Sequence, residues 1–148
     1  MTANTDSPHT DARPDMEIFL DRPLLARLGT ANLQTGQPHV TPVWFLWEDG
    51  SLWISVYSST RKGRELLANP RCSVVIDVDE SGLSLRAVLC EGTAELLAGP
   101  TDFTTAMFTR IYSRYLGPDG VLAADPQEWI HSPENLLVKL TPERVFTW

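Results

Sequence analysis

Basic charge is scarce in this chain. Lysine and arginine number 12 against 19 aspartates and glutamates, so the 148 residues carry a formal net charge of −7. Nucleic-acid binding rests on a basic face that neutralises phosphates, and nucleic acid is not an expected partner. Cysteine is scarce too. Cys72 and Cys90 both lie in apolar, strand-like segments and read as buried free thiols acting as small hydrophobes; a disulfide would need the two to face each other, which spacing does not reveal. The three histidines, His9, His39 and His131, share no ligand spacing, so no metal centre is expected. No apolar run approaches the ~20 residues of a membrane span. The first fifteen residues hold no apolar signal core. The expectation is a soluble cytoplasmic protein with no membrane partner.

What the chain does have is an ordinary globular balance, 43% hydrophobic and 21% charged. That suits one core. Residues 1–14 are polar with two prolines and read as a disordered tail; residues 15–148 read as a single domain. Apolar residues from Met16 to Leu28 recur at near-helical spacing, interrupted by Pro23. They predict a helix pair ending at a left-handed cap on Gly29. Strands are expected over 30–33, 39–47, 51–57, 72–78, 83–97, 135–140 and 145–148. Asp49-Gly50 marks a hairpin, and Gly92 marks a bulge or kink in the long fifth segment. Helices are expected over 61–68 and 101–115, with 121–133 a loop holding at most a short helical turn. The class is mainly β, a barrel or sheet of about six strands with helices at its ends. Pro42 sits inside a strand, and a residue without an N–H belongs at a sheet edge or bulge.

The segment Ser58-Ser59-Thr60-Arg61-Lys62 breaks a local rule. It opens a helix, where the dipole and free N–H groups favour anions, yet it puts two cations in the first turn. A bound phosphate would remove that conflict: arginine supplies a fork, lysine a point charge, and Ser59 and Thr60 supply hydroxyls. A plain solvated helix start is the competing reading. Upstream, the break at Pro42 leaves backbone groups that a flat heteroaromatic ring could meet, with Trp44 and Trp47 either packing on it or buried in a core or interface. Glu91 and Glu95 fall on one face of a strand, which reads as solvated. Arg86 is the one cation inside the long strand, placed to reach a ring or to form a salt bridge. Asp77 and Asp79 read as exposed.

Three stretches together, HVTPVWFLWEDG, LWISVYSSTRKGRELLANPRCSVVID and LCEGTAEL, resemble the pyridoxamine-phosphate-oxidase-like family of flavin-binding split β-barrels, including its flavin- and deazaflavin-dependent oxidoreductase branch. The resemblance runs over residues 24–97 and more weakly to Trp148. It implies a six-stranded Greek-key split barrel with short peripheral helices, paired as a homodimer with two cofactor sites at the interface. It places a cofactor phosphate against Ser59, Thr60, Arg61 and Lys62, and the ring along Thr41, Pro42, Val43 and Trp44. Ser55 and Val56 would lie near the ribityl chain.

The chain departs from true pyridoxamine-phosphate oxidases, which close with a basic C-terminal segment; this one ends RVFTW. Pyridoxamine phosphate is therefore not the expected substrate. The implied activity is an FMN-dependent oxidoreductase acting by hydride transfer on a small-molecule substrate that the sequence does not reveal. No protein side chain is expected to be catalytic in its own right, because the cofactor carries the chemistry. An F420-dependent reductase is the alternative on the same fold, with Arg61, Lys62, Arg64 and Arg71 lining a groove for that cofactor's acidic tail. A non-enzymatic haem- or flavin-binding protein is a third reading.

Overall fold

The structure is a computed structural model that describes residues 6–7 and 14–148. Ten strands and four helices follow one another as β1 (Asp6–Ser7), α1 (Pro14–Leu20), β2 (Ala26–Ala31), β3 (Pro38–Val43), β4 (Phe45–Glu48), β5 (Ser51–Tyr57), α2 (Arg61–Ala68), β6 (Arg71–Asp77), β7 (Ala87–Thr93), β8 (Glu95–Leu97), α3 (Asp102–Gly120), α4 (Ala124–His131), β9 (Asn135–Leu140) and β10 (Arg144–Thr147). One sheet runs β1-β10-β7-β6-β2-β3, the other β4-β5-β9-β8. Every described pairing is antiparallel. The result is the expected mainly β split barrel. Most of the tail expected over 1–14 lies outside the described residues; within it, Asp6 and Ser7 pair with Phe146 and Val145.

Ten strands stand in place of the seven expected segments, because two long segments each divide between the sheets and Asp6–Ser7 adds a short strand. The segment 39–47 breaks at Trp44, passing from β3 to β4. The segment 83–97 forms strand from Ala87 and breaks at Ala94, whose N–H bonds the Pro70 carbonyl at 2.9 Å. Gly92 is not a bulge. It sits in regular register opposite Cys72, and its lack of a side chain admits Leu140 and Thr141, which a Cβ would meet at 3.2 Å.

The second of the two expected N-terminal helices is a strand. Ala26 and Leu28 are buried while Leu25 and Arg27 face out. That is period 2, not 3.6, and β3 and β6 pair along both edges. Gly29 is accordingly extended, within the ladder, and caps nothing. The Asp49-Gly50 hairpin forms as expected, with both residues at positive φ (52° and 73°), as a type I′ turn requires.

Two clusters make the core. Phe45, Leu52, Ile54, Val56, Val138 and Leu140 point from the four-stranded sheet into the barrel, against Leu28, Val74, Ile76 and Val88 of the other sheet. The alternate residues Leu46, Trp53 and Leu137 point outward and bury Met107, Phe108, Ile111 and Tyr112 of α3 with Ile130 of α4. Helices 3 and 4 thus cover the face of β5 that also carries Ser55 and Tyr57, and this places the candidate site.

Arg114 locks the assembly. Its guanidinium donates to the carbonyls of Phe45 (2.9 Å), Arg22 (3.0 Å), Asp21 (3.2 Å) and Leu20 (3.4 Å), capping the orphan carbonyls at the end of α1. It also lies over the Phe45 ring, 5.2 Å from the centroid.

Candidate functional site

Where β5 hands over to α2, Thr60 is the helix cap. Its hydroxyl donates to the Tyr57 carbonyl at 2.6 Å and accepts the Gly63 N–H at 3.2 Å. Both of these local bonds are intramolecular, as an N-cap requires. Gly63 is needed for the close approach: a Cβ there would lie 2.9 Å from Ser58 Cα and closer still to the Tyr57 carbonyl oxygen. No acidic residue occupies the first turn of α2.

The two first-turn cations part company. Arg61 donates from Nε to Glu65 at 3.2 Å. Glu65 is itself buried and accepts the Thr30 hydroxyl at 2.7 Å. That hydrogen bond, followed by the one from Arg61, holds the Glu65 carboxyl below its ordinary range against the opposing effect of burial. Arg61 faces a cavity of about 580 Å³ with Arg64, Asn32, Gln34 and Gln37. Lys62 faces a different cavity. Among the described residues its ammonium has no ion-pair or hydrogen-bond partner.

The Lys62 cavity is about 740 Å³. Pro42, Val43 and Trp44 supply one wall, Ser55 and Tyr57 the floor, Tyr112, Glu128 and Trp129 the helical side, and Leu25 the rim. Its aromatic surface is rigidly held. Trp44 stacks on Tyr115 at 4.8 Å and 5°, and meets Tyr112 edge-on at 5.9 Å; Tyr112 meets Trp129 at 5.9 Å and 89°. Tyr115 fixes the strand break beneath Trp44, accepting the Phe45 N–H at 3.1 Å and donating to the Leu24 carbonyl at 2.8 Å. Burial pushes the Tyr115 and Tyr112 phenols up from their ordinary value, so both keep their protons at neutral pH. β3 is the outermost strand of its sheet, so Pro42 sits at an edge, as expected, and costs no ladder bond.

The structure brings together Pro42, Val43, Trp44, Ser55 and Lys62 around one cavity. Thr41 lies beside them with its buried Oγ1 lacking a hydrogen-bond partner. Thr60 is the cap and Ser59 is exposed, its carbonyl accepting from Arg64. Val56 points the other way, 1% exposed in the barrel core, because it alternates with Ser55 and Tyr57. Its backbone lies at the site and its side chain does not. Trp47 stands apart, bonding Glu17 from its indole at 2.9 Å. Glu91 and Glu95 do not share a strand face, since the break at Ala94 puts them in different sheets. Arg86 lies outside the strands, held by backbone bonds to Val78 and Trp148. Asp77 and Asp79 are exposed as expected, Asp77 paired with Arg27.

Sequence reasoning missed Tyr112, Glu128, Trp129 and Asn135. Tyr112 had one visible signal, its place beside the apolar stripe of α3. The other three depend on how α4 and β9 dock, which no local pattern carries.

The fold is thus a split β-barrel, with an aromatic-walled cavity between an edge strand and a helix N-terminus. The chain belongs to the pyridoxamine 5'-phosphate oxidase family, whose model matches residues 12–148. Similar solved structures include a conserved hypothetical protein of Mycobacterium tuberculosis, with 23% identity and TM-score 0.76 over 93% of this chain and 84% of that one. An F420 reductase has 25% identity and TM-score 0.68 over 87% and 94% of the two chains. The haem storage protein HutZ of Vibrio cholerae has 18% identity and TM-score 0.72 over 91% and 93%. No curated protein sequence matches the chain. No described helix is long and apolar enough to cross a membrane.

Proposed function

We propose that this chain is a homodimeric, FMN-dependent oxidoreductase whose cofactor occupies the 740 Å³ cavity, with a small-molecule substrate reduced or oxidised beside it. The observation that carries this reading is the meeting of an unpartnered Lys62 and a preformed aromatic wall in one cavity. A flat ring with an anionic end fits those groups. The free edge of β3 and the orphaned hydroxyl of Thr41 offer further partners to such a ring, and the open N–H groups of α2 suit a phosphate.

When bound, the flavin ring supplies the hydride transfer. The protein's own part is positioning. Lys62 balances the phosphate charge, Thr60 and Gly63 hold the α2 start in place, and Trp44, Tyr112 and Trp129 exclude water from one side of the cavity. Arg61 reaches the same phosphate if its fork is shared between it and Glu65. Leu33, Val40 and Leu67 are 64%, 63% and 55% exposed. They supply apolar surface of the kind a dimer interface covers.

The F420 alternative is favoured by a specific feature, the second cavity with Arg61 and Arg64 on the far side of the α2 start, and by the likeness to an F420 reductase. No histidine lines either cavity, which weighs against haem. The test is titration of the purified protein with FMN and with F420, followed by cofactor fluorescence, for wild type, Lys62→Ala and Arg61→Ala. The proposal expects FMN to bind and Lys62→Ala to weaken it at least tenfold. Binding of F420 alone would transfer the activity to the deazaflavin reading, and binding of neither would refute the flavoenzyme.

A further inference from the structure

Ser55, Tyr112 and Asn135 form a closed ring of hydrogen bonds at the cavity. Ser55 Oγ lies 2.6 Å from Tyr112 OH and 2.7 Å from Asn135 Oδ1. Asn135 Nδ2 lies 2.9 Å from both Tyr112 OH and the Trp129 carbonyl. The direction of every proton follows from that carbonyl. A backbone carbonyl can only accept, so the amide nitrogen of Asn135 faces it and the amide oxygen faces Ser55. An amide oxygen can only accept, so the Ser55 proton is committed to Asn135. The second Nδ2 proton goes to Tyr112, and the Tyr112 proton then goes to Ser55. Burial keeps that phenol protonated. Asn135 is fully buried, and all three of its described side-chain bonds belong to this arrangement.

The consequence reaches the cavity, which Ser55 and Tyr112 both line. Neither has a proton left to give, and each keeps an unused lone pair. Together they present a face that accepts hydrogen bonds and donates none. Its place along β5 narrows the occupant. Ser55 precedes Tyr57 by two residues, ~7 Å along a strand, and the Tyr57 carbonyl holds Thr60, the cap of α2. The acceptor face thus lies next to the anion end of the cavity, beside the aromatic wall.

We propose that Asn135 is a positioning residue that turns Ser55 and Tyr112 into an acceptor-only subsite, which selects ligands bearing hydroxyl donors between a flat ring and an anionic end. This rests on the flavin reading and deepens it: the group recognised is the cofactor's polyol chain, and neither Ser55 nor Tyr112 serves as a proton donor to substrate.

The test compares riboflavin with lumiflavin, which keeps the ring and its N–H but replaces the polyol with a methyl group. Kd values are read by fluorescence for wild type, Ser55→Ala and Tyr112→Phe, the last keeping the aromatic packing, with Asn135→Asp as a third variant. The expected result is riboflavin at least tenfold tighter than lumiflavin in wild type. That ratio should fall to within about twofold in Ser55→Ala and Tyr112→Phe. Equal wild-type affinities, or a ratio that survives both variants, would overturn the subsite and leave flavin binding intact. Failure of both flavins to bind wild type would overturn the flavin reading, and the subsite with it.

Discussion

Gly63→Ala tests whether α2 is seated on β5 as described. Helix propensity alone predicts a gain, because alanine is favoured over glycine by about 1 kcal/mol in a helix interior. The structure predicts the opposite sign. The new Cβ would press on the Tyr57 carbonyl and on Ser58 Cα. Both are backbone, so no rotamer change relieves the contact, and α2 must move by on the order of 1 Å. Overpacking of this kind costs about 1–3 kcal/mol. Movement also strains the Thr60 cap, which contributes about 1 kcal/mol. The net expectation is a loss of roughly 2 kcal/mol. For a urea m-value of about 2 kcal/mol/M, the midpoint falls by about 1 M. Urea unfolding followed by tryptophan fluorescence measures it. A midpoint equal to or above wild type would refute the close seating of α2 and the placement of Lys62 that depends on it.

Other expectations follow from the same geometry. Arg114→Met keeps much of the stem's packing and removes a donor from four carbonyls; those of Phe45 and Arg22 retain Tyr115 and Leu24 as donors, while those of Leu20 and Asp21 lose theirs, so stability should fall by about 3 kcal/mol, read as a lower thermal midpoint. The Glu65 carboxyl is held below its ordinary value of 4.5 chiefly by Thr30. Its contribution to stability is therefore present above that pH and lost as pH falls through the folded-state value. Thr30→Val should raise the Glu65 titration midpoint by NMR and shrink the acid-side loss of stability; an unchanged midpoint would contradict the assigned bond. Burial pushes the thiols of Cys72 and Cys90 up to about 11 and about 12. Both should react slowly with a thiol reagent at about pH 8 in native protein and rapidly in urea.

The parts of this fold legible in the sequence are those fixed by neighbours along the chain. Asp49-Gly50 can satisfy a positive-φ turn by itself, and the β-branched run near 74–76 has one good conformation; Thr60, expected to offer its hydroxyl to a phosphate, instead spends it on capping α2. The start of α2 stood out because its charges oppose the dipole, a conflict visible without coordinates. Residues 24–28 misled because leucines at 24, 25 and 28 imitate a helical stripe; sheet pairing on both edges decides for strand. The breaks at Trp44 and Ala94 could not be read either, since each exists only because two sheets must share one barrel. At the site, the same division holds. Lys62 and Pro42 announce themselves, whereas Tyr112, Trp129 and Asn135 become neighbours only when α3, α4 and β9 close over β5. Arg61 and Lys62 look equivalent in sequence, yet Glu65 draws Arg61 toward the second cavity.

The most direct measurement is an NMR titration of isotope-labelled protein with FMN. The account predicts amide shifts concentrated at residues 41–44, 55–57 and 60–63, with the Trp44 and Trp129 indole signals moving at the same FMN concentrations. Shifts confined to residues 32–37 and 64–68, around the Arg61 cavity, or no shifts at all, would contradict the claim that the cavity facing Lys62 is the cofactor site.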